Sequence, residues 1–220
     1  MVTEKSNAEL HASFLEYKAV YRDPAFMAWD QTGKLTLELF EAFREWGVSL
    51  ENVFGNRAPD NASEIGIAFE LPNRKATFRA GIGAATLFVT NPVWNEENQI
   101  ADVARAGMRA LQIAAGVQIE KQLLTLAIHI SSPSVSLLDL TAQFVRVDAF
   151  PSDTEGVRAY GFGIYRDDGY WIVDRSALYK DALFVRVNRE FEPEVPFEEL
   201  GETLRSDEIG ILDLLGLRID

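Results

Sequence analysis

Two stretches of this 220-residue chain resemble each other about 95 positions apart, and an internal likeness of that kind constrains the fold more than any single motif does. Ile65-Gly66-Ile67-Ala68-Phe69 aligns with Tyr160-Gly161-Phe162-Gly163-Ile164, and Leu87-Phe88-Val89 aligns with Leu183-Phe184-Val185. In each copy, three runs with the period-2 alternation of strands precede a stretch with helical spacing. The reading is an α+β protein of two related βββα units, with mainly antiparallel sheet covered on one face by helices. Its expected segments are 1–60, a helix-bearing stretch packed on the sheets; 61–131, the first unit and a following strand; and 132–220, the second unit.

Local signals fill in the elements. Asn7 to Arg22 carries both periods and reads as a short helix running into a strand that Asp23-Pro24 ends. Leu35, Leu39, Phe40, Phe43 and Trp46 recur at helical spacing, with Gly47 placed to stop the helix. Gly55 to Asn61 reads as a loop by composition. The helix after the first three strands spans about Glu96 to Val117, with Asn95 as its cap and Ile100, Val103, Ala104, Gly107, Leu111 and Ala114 on one stripe. Its counterpart spans about Pro196 to Leu215, with a break near Ser206 to Gly210. Gln122 to Ile130 reads as a buried strand, Leu137 to Phe144 as a helix capped by Ser136, and Asp167-Asp168-Gly169 as a hairpin turn.

Gly66 and Ala68, matched by Gly161 and Gly163, place bare backbone at equivalent points. Glycine within a strand costs about 0.5–1 kcal/mol relative to alanine, so close approach by another layer is expected there. The small residues of the following helix are the expected neighbour, and a ligand or second subunit is the alternative.

Signatures of chemistry are sparse. There are no cysteines, which excludes disulfides and thiolate catalysis, and only two histidines, His11 and His129. His129, within Leu126-Ala127-Ile128-His129-Ile130, reads as a satisfied core or sheet residue, and His11 falls in a stretch expected to be mobile. Gly81-Ile82-Gly83 lacks the third glycine of a dinucleotide loop, and Gly33-Lys34 lacks the upstream glycine of a phosphate loop. No residue is assigned to catalysis, a metal or a cofactor. With 21 Lys and Arg against 34 Asp and Glu, the net charge of −13 disfavours nucleic acid and anionic membrane as partners. The start of the chain has neither the basic residues nor the apolar run of a secretory signal, and the expected location is cytoplasmic.

Aromatic residues crowd the second unit. Tyr165, Tyr170, Trp171 and Tyr179 form the candidate binding surface, because Tyr165 falls on the strand face opposite Phe162 and aromatic clusters with polar tips are common at interfaces. The functional expectation is a non-enzymatic binding protein, homo-oligomeric, that engages a protein partner through a sheet face or edge and an acidic surface, a basic protein being one such partner. The alternative is an enzyme acting on a small substrate with carboxylates in a cleft between the two units.

Overall fold

The alternating runs form strands and the 3.6-period runs form helices in the computed structural model, which describes residues 5–56, 65–92, 97–144 and 159–219. The fold is mixed α/β with a large, mainly antiparallel sheet. In chain order the strands and helices are β1 (Ser6–Tyr21), α1 (Phe26–Asp30), α2 (Thr32–Phe43), β2 (Val53–Asn56), β3 (Gly66–Leu71), β4 (Ala76–Gly81), β5 (Ala84–Thr90) and α3 (Glu97–Ala115). There follow β6 (Ile119–Ser131), α4 (Leu137–Ala142), β7 (Phe162–Arg166), β8 (Gly169–Arg175), β9 (Leu183–Phe191), α5 (Phe197–Leu214) and β10 (Leu217–Ile219). No helix among the described residues is long and apolar enough to cross a membrane.

Two compact bodies are distinguished by their internal contacts. The first comprises Phe14–Leu124 and Glu190–Glu202, the second Met1–Ser13, Thr125–Arg189 and Thr203–Asp220. In the first, the antiparallel meander β3-β4-β5 is flanked by β2 beside β3 and by the C-terminal half of β1 beside β5. Ile67, Phe69 and Leu71 of β3, Phe78 of β4 and Leu87 of β5 point to one face and are buried there. Helices α2 and α3 lie on that face, and their apolar stripes supply Leu35, Leu39, Phe43, Val103, Ala104 and Leu111 to the core.

Phe43 is the centre of this core, with ring centroids 5.0 Å from Phe78 and 5.5 Å from Phe69. Gly107 of α3 makes that arrangement possible. A Cβ built there would lie 2.5 Å from the Phe78 ring and 3.0 Å from Phe43. The close approach between helix and sheet is therefore glycine on the helix against phenylalanine on the strand. The strand glycines expected to receive a helix face the other way. Gly66 has the Arg79 side chain 3.0 Å from its Cβ position, and Gly163 has the Tyr165 ring at 3.0 Å. Cross-strand or same-strand side chains, rather than a helix, lie over these bare positions.

In the second body β7-β8-β9 is an antiparallel meander, β6 lies beside β9, and β10 pairs in parallel with the start of β1. Val173, Val185 and Val187 are buried on the face that also receives Leu204 and Ile211 of α5. On this face stands a buried ion pair. Arg189 donates Nη2–H to Asp207 Oδ1 at 2.8 Å and Nε–H to Asp207 Oδ2, and its Nη1 donates to Asp168. The hydrogen bond to Asp207 holds the Arg189 guanidinium charged against the cost of burial.

Three local expectations differ from what forms. The stretch from Asn7 is strand as far as Tyr21, because Phe14, expected on a helix face, instead packs across the sheet on Phe88 with centroids 6.0 Å apart, while Leu15, Tyr17 and Ala19 are buried opposite. Gly55 and Asn56, expected in a loop, instead end β2 by pairing with Ile67 and Gly66, and the rest of that expected loop lies outside the described residues. Helix α5 runs unbroken through Ser206 to Gly210, since Asp207 is tied to Arg189 and Gly210 sits 3.2 Å from the Trp171 ring, measured from a built Cβ. The expected Asn95 cap also lies outside the described residues. The Ser136 cap forms, its Oγ accepting from the Asp139 N–H at 3.1 Å.

Two measurements check these packing arguments. Gly107→Ala gains about 1 kcal/mol of helix propensity but drives a methyl into two buried rings, a strain of about 1–3 kcal/mol. The expected outcome is lower stability in chemical denaturation, although the same exchange in an open helix would raise it. Asp207→Ala leaves Arg189 buried without its bidentate partner and is expected to cost about 3–5 kcal/mol. The double variant Asp207→Leu, Arg189→Met is expected to be more stable than the single one.

Candidate functional site

Strand pleating sends alternate side chains to opposite faces, so covering one face with α5 leaves a second set of residues on the other. In the second body the pairs Tyr165–Tyr170 and Gly163–Ile172 across β7 and β8, and Tyr170–Asn188, Ile172–Arg186 and Asp174–Phe184 across β8 and β9, put all of these side chains on that second face. Among the described residues no helix covers it. Tyr165 is 76% exposed, and its ring centroid lies 6.1 Å from that of Tyr170. The Arg186 guanidinium stands 5.8 Å over the Tyr170 ring, and Asn188 donates to Thr125 Oγ1 at 2.8 Å. The patch carries one Arg and one Asp, Arg186 and Asp174, and is close to neutral in a chain of net charge −13.

Beside it the two histidines of the chain meet. His11 of β1 stacks on Tyr179 with centroids 5.0 Å apart, and His129 of β6 lies 5.3 Å from Tyr179 and 5.1 Å from Phe184. Tyr179 is thus in ring contact with both. His129 Nδ1 is 2.9 Å from Ser176 Oγ, an oxygen that already accepts the backbone N–H groups of Leu178 and Tyr179. With both lone pairs engaged, the Ser176 hydroxyl has only its proton to offer, so it donates to His129 Nδ1 and the neutral imidazole carries its proton on Nε2. Burial and the nearby His11 hold the His129 pKa below its ordinary value.

A serine and histidine within hydrogen-bond distance suggest a nucleophile and its base, but the geometry does not serve that chemistry. Ser176 and His129 are both buried, and the serine oxygen is held by two N–H donors instead of facing a substrate. The cluster orders the loop between β8 and β9 and presents Tyr179 at the edge of the patch. Among the described residues no three His, Asp or Glu side chains come together to hold a metal ion.

Of the residues singled out from sequence, Tyr165, Tyr170 and Tyr179 come together on or beside the uncovered face. Trp171 points the other way, 8% exposed, with the Arg166 guanidinium 4.3 Å from its ring. Ile172, Phe184 and Arg186 complete the patch, and His11 is joined to it although it was expected in a mobile stretch. Continuing the two-residue alternation from Tyr170 through Ile172 and Asp174 identifies the β8 members. Nothing in the sequence signals that His11 and His129, 118 positions apart, share a neighbour.

The sequence matches no family model and no curated protein. Among solved structures it is similar to the class II 3-hydroxy-3-methylglutaryl-CoA reductase from Streptococcus pneumoniae bound to NADPH, at 12% identity and a TM-score of 0.25. That likeness covers 95% of this chain and 62% of the reductase chain. A score of that size carries no argument about this protein.

The histidine pair has a consequence for stability. A pKa lowered in the folded state means that the unfolded chain takes up the proton first, so this group's contribution is intact above about pH 6.5 and is lost as pH falls through and below that value. Glu208 acts in the opposite sense. Burial pushes its carboxyl up to about 7, against the pull of Arg205, and its contribution declines as pH rises from its ordinary value toward 7. Comparing a variant with the parent separates the two. His129→Gln is expected to lose less stability than the parent between pH 7.5 and pH 5.5 in urea unfolding, while Glu208→Gln is expected to stabilise the chain at pH 8 by on the order of 2 kcal/mol.

Proposed function

We propose that this chain is a non-enzymatic binding protein that engages a protein partner through the sheet face bearing Tyr165 and Tyr170, which no described helix covers, and that a second copy of the chain is its first partner. The observation that carries this reading is the 76% exposure of Tyr165 beside Tyr170 of β8, a strand whose opposite face carries Trp171 against Gly210 of α5. Tyrosine and arginine are the residues that recur at the energetic centres of interfaces, and Tyr165, Tyr170 and Arg186 are grouped there. The near neutrality of the patch lets two acidic chains meet on it without concentrating like charge. A basic protein remains a partner for the acidic surface elsewhere.

The same reading takes β3-β4-β5-α3 and β7-β8-β9-α5 as two related βββα units. Its support is that each series is an antiparallel meander followed by a helix, and that Ala68 and Gly163 both fall on the strand face away from the helical layer. On this view each unit contributes one such face, and the aromatic row distinguishes the second.

Size-exclusion chromatography with light scattering tests the proposal. The parent is expected to self-associate with rising concentration and to keep doing so at high salt, since the patch lacks net charge. Tyr165→Glu is expected to weaken association by about 2 kcal/mol or more, roughly thirtyfold, without altering the circular dichroism spectrum. A parent that stays monomeric at the highest soluble concentration overturns the proposal.

A further inference from the structure

Strand β7 is the last in the order of the sheet, and among the described residues it pairs with β8 alone. The β7–β8 connection is a turn of Asp167 and Asp168, so the closing pair, Arg166 and Gly169, is hydrogen-bonded across it. From there the antiparallel ladder alternates. Ile164–Trp171 and Phe162–Val173 are hydrogen-bonded pairs, whereas Gly163–Ile172 and Tyr165–Tyr170 are not. The N–H and C=O groups of Gly163 and Tyr165 therefore point away from β8, toward the open edge. Gly163 is exposed in the folded chain, and without a side chain what it exposes is backbone. Tyr165 beside it is 76% exposed.

Proteins that stay apart guard such edges with proline, lysine or a bulge. The run Phe162-Gly163-Ile164-Tyr165-Arg166 contains neither proline nor lysine, and it pairs with β8 in unbroken register. Its single charge is held on the covered face, where the Arg166 guanidinium lies 4.3 Å from the Trp171 ring centroid and 3.8 Å from Asp207 Oδ1. The run is also complementary to itself. With two copies antiparallel about a twofold axis through Ile164, Tyr165 of each stands opposite Gly163 of the other. That register joins the outward-pointing groups of both pairs, and it sends the two Arg166 residues to opposite ends, so no like charges meet. A ring opposite a strand glycine covers the backbone that the glycine leaves bare. The Tyr165 ring already leans over this position in its own chain, 3.0 Å from a Cβ built on Gly163.

We infer that two copies of the chain join edge to edge through β7, in antiparallel register centred on Ile164, so that the sheet of one runs into the sheet of the other. This rests on the reading that a second copy is the first partner, and it names where the copies meet: main-chain pairing at the edge, with the Tyr165 and Tyr170 face continuous across the axis. The contact is isologous and consumes the β7 edge of both copies, so by itself it closes at a dimer.

The chain has no cysteine, so Ile164→Cys places a single thiol at the axis. Residues directly opposite in a non-hydrogen-bonded antiparallel pair have Cα atoms about 4.5 Å apart, within disulfide range. Under mild oxidation this variant is expected to become a covalent dimer, and Ile172→Cys, one strand further in, is expected to stay uncrosslinked. Amide hydrogen exchange at Gly163 and Tyr165 is expected to slow as the protein is concentrated while that at Ile164 stays constant, an alternation that stacking of two sheet faces does not produce. Gly163→Pro removes an outward N–H and spares the ladder to β8, and it is expected to weaken association about tenfold or more with an unchanged circular dichroism spectrum. Should that variant fail to fold, the cross-link and the exchange pattern still decide. Association that survives Gly163→Pro but is lost in Tyr165→Glu overturns edge pairing and leaves the face reading standing, as does a dimer in which Ile164→Cys forms no disulfide or the alternation in exchange is missing. A parent that is monomeric at the highest soluble concentration overturns both.

Discussion

Helix α3 can rest on the β3-β4-β5 meander because Gly107 offers no side chain to Phe78 and Phe43. Interiors pack at crystal-like density, and a rigid buried ring cannot move aside for a methyl group. The glycine thus sets how near the helix comes, and with it how well Leu111, Val103 and the stripe of α2 close over the sheet. Once that layer is in place, strand alternation leaves only one question open, which is what happens on the other face.

The second body answers the same question with charge. Arg189 belongs to the covered face of β9, where a lone guanidinium would be costly, and Asp207 of α5 meets it with two parallel hydrogen bonds. Such a pair adds little net stability compared with an apolar pair, but it accepts only one register of helix against strand. It therefore orients α5 so that Gly210 falls under Trp171 and Leu204 and Ile211 enter the core. The aromatic surface of this body is a by-product of the same alternation. Trp171 packs beneath the helix, whereas Tyr170, one position earlier, joins Tyr165 on the opposite face.

The histidines illustrate how a polar cluster is made safe. Ser176 satisfies two loop amides and directs its own proton to His129, which keeps that ring neutral and the loop closed. A charged imidazole there would have to turn a donor toward an oxygen whose lone pairs are taken. The cost of protonation is thus built into the hydrogen bonding as well as into burial, and it links the shape of the loop carrying Tyr179 to pH.

The strands of the β3-β4-β5 and β7-β8-β9 meanders, the turn at Asp167-Asp168-Gly169, the Ser136 cap and the helical stretch ended by Gly47 were legible along the chain because each rests on contacts within a few residues, whereas the start of β1 and the end of β2 were not. Alternation also separated Tyr165 from Phe162 correctly, since the pleat is a local property of the backbone. It could not say which face a helix would take. That depends on pairings such as Arg189 with Asp207 and on the fit of Gly107 against Phe78, both set by residues far apart in sequence. For the same reason the glycines of the strands looked like helix contacts and proved to lie under Arg79 and Tyr165, and His11 and His129 looked unrelated until neighbouring strands brought Tyr179 against both. The chain by itself determined its elements and its two-sided strands; tertiary packing alone chose the buried side, because that choice minimises voids and unpaired charge over the whole core and no local segment carries that information.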